Sequence, residues 1–82
     1  MSEHVSPEAA EHFVQQVTLW YSEQIMKEQR AAGGADPERL KTLKDGLAAC
    51  AADLETLEDA GPEEVDEIAA RYAALAQELE GQ

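Results

Sequence analysis

His4, Glu8 and His12 follow one another at intervals of four, the spacing that stacks side chains on one face of an α-helix. Two imidazoles and a carboxylate are acceptable zinc ligands. His4, however, precedes the residues that open the first helix, so the trio reads as exposed polar side chains near the N-terminus. No metal and no cofactor are expected. Carboxylates such as Glu63 and Glu67 pair at the same spacing. General acid–base chemistry needs a cleft that shifts a pKa, and this pair borders a helix break that should stand open to water. The single cysteine, Cys50, cannot form an internal disulfide and falls in an apolar helical row. It reads as a small core residue in a reducing compartment, so a cytoplasmic location is expected. With the helix-borne Glu-x-x-His sets of di-iron bundles also missing, the chain reads as a non-enzyme.

Other chemistries fail on particular residues. An acyl carrier protein is comparably short, acidic and helical, but it requires a serine in Asp-Ser-Leu at the start of its second helix. The serines here are Ser2, Ser6 and Ser22. A phosphate-binding glycine loop needs its lysine, which Gly33-Gly34-Ala35-Asp36 lacks. Eighteen acids against six bases give a net charge of −12. That balance opposes phosphate-backbone binding, which rests on Lys and Arg displacing counterions, and it opposes anionic membrane surfaces. No stretch approaches the roughly 20 apolar residues of a membrane span.

Any site must therefore be positioned by helices. The chain's 82 residues suit a single domain with a modest core. Ser6-Pro7-Glu8, Asp36-Pro37-Glu38 and Gly61-Pro62-Glu63 each combine a cap or break, a proline and an acid that favours the positive end of a helix dipole. They predict helices over about 7–32, 37–59 and 62–80, with breaks at 33–36 and 60–62 and a flexible segment at 1–5. Leu40, Leu43, Leu47, Cys50, Leu54 and Leu57 are spaced three, four, three, four, three, a heptad seam. Val65, Ile68, Tyr72, Leu75 and Leu79 form another. These seams should close as an antiparallel helical hairpin, with Ala48, Ala51, Ala69, Ala73 and Ala76 as a shoulder for a third helix. The broad face of Ala10, Phe13, Val14, Val17, Trp20, Tyr21 and Ile25 would cross it. The expected fold is an all-α three-helix bundle, as a monomer or as a dimer that exchanges the first helix.

Two surfaces are left over. Leu19 and Met26, seven residues apart and roughly opposite the core face, should stand exposed beside Trp20 and offer a contact stripe. From Asp53 to Glu67 there are eight acids and no bases, whereas Lys27, Arg30, Arg39, Lys41 and Lys44 surround the first break. The tip bearing Glu58, Asp59, Glu63, Glu64 and Glu67 would project a concentrated negative field suited to a basic protein surface. The expected function is a small acidic protein–protein interaction module, an adaptor or regulator, using the first helix or the acidic tip. Two alternatives are a nucleic-acid-mimicking inhibitor or antitoxin of a basic protein, and a self-associating structural domain. No direct nucleic-acid contact is expected.

Overall fold

Pro7, Pro37 and Pro62 stand at the start of a helix each, where a missing amide hydrogen costs nothing and a fixed φ suits the first turn. In the computed structural model, which describes residues 4–31 and 33–81, they open α1 (Pro7–Gln29), α2 (Pro37–Asp59) and α3 (Pro62–Glu80). The Ser6 hydroxyl accepts from the Ala9 amide at 3.1 Å, and the Asp36 carboxylate accepts from the Glu38 amide at 3.0 Å. Each satisfies a donor that the first turn would leave unpaired. Gly61 caps α3 without a side-chain bond, and Glu63 and Glu64 lie in that first turn.

α1 ends at Gln29 rather than near residue 32. The Arg30 amide reaches the carbonyls of Met26 and Lys27 as the last turn tightens, and Gly34 takes φ 90°, a conformation open to a residue without Cβ. Glu28 fixes the early stop. Its carboxylate accepts from the Asp36 amide at 2.9 Å and lies 3.2 Å from Arg39 Nε, tying the end of α1 to the start of α2. Ala32 lies outside the described residues. So do Met1–Glu3, part of the segment expected to be flexible, whereas His4 and Val5 are bonded to Asp66 on α3.

α2 runs antiparallel to α1, with Gly46 against Tyr21 and Arg39 against Glu28. α3 runs parallel to α1, with Asp66 beside His4 and Val5 at one end and Leu79 beside Val17 and Trp20 at the other. The protein is an all-α three-helix bundle, with no strand among the described residues. It measures 54 × 25 × 16 Å.

The antiparallel α2–α3 hairpin is present as expected, and α1 provides most of the packing between the helices. The backbones of α2 and α3 approach closely at few positions while α1 lies close along both, and the buried rows of all three helices meet in one cluster. The physical reason lies in side-chain size. The buried row of α1 is Ala10, Val14 and Val17, small enough for the helix to enter between its partners, while the bulkier Phe13, Trp20 and Tyr21 pack only partly buried against the core. The α2 seam splits accordingly. Leu43, Cys50 and Leu57 are buried, whereas Leu40, Leu47 and Leu54, seven residues apart, are half-buried. On α3, Val65, Ile68, Ala69, Tyr72 and Leu79 are buried. Ala48 and Ala51, expected as a packing shoulder, are exposed. Among the described residues no helix is long and apolar enough to cross a membrane.

Candidate functional site: two separated surfaces

Residues 13, 17 and 20 turn one side of α1 toward the core, and the 100° step per residue carries positions 19 and 26 to the opposite side. Leu19 is 64% exposed and Met26 47%. They are the exposed large apolar side chains of the described residues. Trp20 is different. It is half-buried, packs against the core and meets Tyr21 edge-on, with ring centroids 5.3 Å apart and planes at 82°. Leu19 and Trp20 share a shallow groove with Val17, Ala76 and Leu79, where the end of α3 meets α1. Trp20 thus supports the stripe from one side, and Leu19 forms its outer edge. Met26 stands farther along, next to Lys27 toward the basic end of the bundle.

The acidic residues gather where α2 turns into α3. Glu58, Asp59, Glu63, Glu64 and Glu67 are all exposed. Four of them divide between two open grooves. Glu63, Glu64 and Glu67 line one with His4, Gly61 and Pro62, while Glu58 lines another with Pro7, Glu11, Ala51, Leu54 and Glu55. The five bases near the first break lie at the other end of the molecule, so charge is segregated along its length. The Leu19–Met26 stripe and the acidic end are not brought together: Leu19 is 13 residues from the helix start at Ser6, about 20 Å by helical rise.

His4 does not join Glu8 and His12 in a cluster. Its Nδ1 lies 2.5 Å from the Asp66 carboxylate, whose other oxygen accepts from the Val5 amide at 2.6 Å. These bonds, the histidine's first and the amide's second, hold the Asp66 carboxyl below the ordinary aspartate pKa. His12 Nε2 lies 3.3 Å from the Gln16 amide nitrogen. Among the described residues there is no group of three or more metal-binding side chains.

Sequence reasoning missed three relationships. Tyr72 donates its hydroxyl to Asp53, and Arg71 Nη2 approaches the same carboxylate oxygen at 3.4 Å with its guanidinium 5.6 Å from the Tyr72 ring centroid. This network joins α2 to α3 at the edge of the core they share. Burial first, and the bond to Asp53 second, push the Tyr72 phenol above its ordinary pKa. The second relationship is the His4–Asp66 latch. Gly46 supplies the third, because the Tyr21 ring lies where a Cβ at that position would stand. A glycine inside a helical pattern was the one available signal; the other two join residues far apart in sequence and left none. No family model matches this chain, and neither a curated protein nor a solved structure is similar to it at a significant level.

Proposed function

We propose that this chain is a protein-binding module, an adaptor or regulator of the reducing cytoplasm, that docks a partner on the outer side of α1. The observation that carries this is the exposure of Leu19 and Met26 on one side of a helix whose opposite side is fully committed to the core. Exposed apolar side chains in register favour contact with a second surface over contact with water. The acidic end serves as a second, electrostatic element that selects partners with a basic surface and speeds their encounter. Cys50, buried in the core, acts as packing rather than as a reactive thiol.

Affinity capture from the native cell with the full chain tests this, read against Leu19→Asp plus Met26→Asp. Loss of specific partners with retained helicity supports the stripe, and partners that survive the double substitution refute it. Charge reversal at Glu63, Glu64 and Glu67 should lower the association rate and its salt sensitivity while leaving the apolar contact in place.

A further inference from the structure

Helix α2 carries a second apolar row that the bundle covers only in part, with Leu54 packed against the edge of the core. Leu40, Leu47 and Leu54 are half-buried and Ala51 is exposed. Together with Lys44 and Glu58 they recur at four, three, four, three, four, a heptad row that lies beside the buried Leu43–Cys50–Leu57 row. Asp53, bonded to Tyr72, marks the side of α2 that meets α3. At 100° per residue the Leu40–Leu54 row lies on the other side, where Ala51, Leu54, Glu55 and Glu58 line an open groove with Pro7 and Glu11 of α1.

The charges beside this row are divided along the helix. Lys41 and Lys44 flank the row in the first half of α2 and Glu55 and Glu58 in the second, whereas Glu38 and Asp45 lie farther round the helix. Such a helix complements itself when reversed. We infer that the open face of α2 is a self-association surface on which two copies pair antiparallel about a two-fold axis near Ala49. In that register Leu47 packs on Ala51 of the second copy, Lys44 lies alongside its Glu55, and Lys41 alongside its Glu58. A two-fold interface makes each contact twice. The opposite, parallel arrangement sets acids on acids and brings the two acidic ends together. The antiparallel one carries those ends, which hold most of the −12 charge of each chain, to opposite extremities of the six-helix dimer. A heterologous helix could also cover leucines, but the matching charge sequence is present in the chain itself. This surface is distinct from the Leu19–Met26 side of α1, so the two proposals fail independently.

The test is sedimentation of the full chain and two charge variants. The unaltered chain should sediment at twice its 8.9 kDa mass. Lys41→Glu plus Lys44→Glu, and separately Glu55→Lys plus Glu58→Lys, should each weaken self-association by at least about tenfold, while a mixture of the two variants restores a dimer. All four side chains are exposed, so helicity should hold in each variant. The second variant decides between specific and general charge effects. It lowers the net negative charge, so a dimer limited only by overall repulsion would tighten, whereas the antiparallel pairing loosens. A chain that stays monomeric up to about 1 mM, or a dimer that either variant leaves intact or tightens, overturns the inference. So does a dimer abolished by Leu19→Asp plus Met26→Asp but not by the charge variants.

Discussion

Tyr21 lies across α2 at Gly46 so closely that a Cβ on that glycine would stand 2.5 Å from the ring carbon Cζ and 2.9 Å from the hydroxyl oxygen. The absent side chain lets α1 lay an aromatic ring against the backbone of α2. Burial there, more than the nearby Cys50, raises the Tyr21 pKa above its ordinary value.

Gly46→Ala sets two effects in competition. Alanine should stabilise a helix interior by about 1 kcal/mol over glycine, but the ring must be displaced, at a cost of about 1–3 kcal/mol. We expect net destabilisation of about 1 kcal/mol in the otherwise unaltered chain. In a Tyr21→Ala background the same change should stabilise by about 1 kcal/mol. Denaturant melts of the four proteins measure the cycle, and equal effects in both backgrounds would contradict the contact.

Val17 and Met26 lie on the two sides of α1. Val17 is 1% exposed, so Val17→Ala should cost about 2 kcal/mol through lost burial and the cavity left behind. Met26→Ala should stay within about 0.5 kcal/mol, because its side chain is largely in water. Comparable losses at both positions would mean that the helix is rotated from the orientation described.

The Asp66 latch makes an acid-range prediction. Its folded pKa is depressed by His4 and the Val5 amide, so its contribution to stability is present above the unfolded value of about 3.9 and disappears as pH falls through the lower folded value. The stability difference between the unaltered chain and Asp66→Asn should therefore be constant near neutrality and shrink below about pH 4. A difference that grows with acidification would reverse the sign and remove the latch as its cause.

Tyr72 makes the alkaline counterpart. Its folded pKa is raised, so its contribution is intact below the unfolded value of about 10 and is lost as pH rises through the folded one. Phenolate absorbance from Tyr72 should appear only well above pH 10 or together with unfolding. Tyr72→Phe should cost about 1 kcal/mol at neutral pH and lessen the alkaline loss. Ionisation of both tyrosines at their ordinary pH in the folded chain would contradict the partly buried bond to Asp53.

Much of the architecture was legible because its signals are local. The three prolines, the Ser6 and Asp36 caps and the Gly33-Gly34 break each act within one helical turn, and the helix starts and most of the ends follow from them. Heptad spacing identified which residues are apolar and in register, and the exposure of Leu19 and Met26 follows from the same periodicity.

Which helix sits at the centre is a different kind of fact. The seams of α2 and α3 each satisfy a heptad and are joined by a short turn, so periodicity alone favours their closing on each other. The slender Ala10–Val14–Val17 row of α1 packs between them because two neighbours can bury it on both flanks, and periodicity carries no information about competing partners. The same choice turned Leu40, Leu47 and Leu54 toward the rim and left Asp53 to reach Tyr72. Local spacing thus determined the helices and their faces. Three-dimensional packing decided which face met which, because burial is shared among segments far apart along the chain.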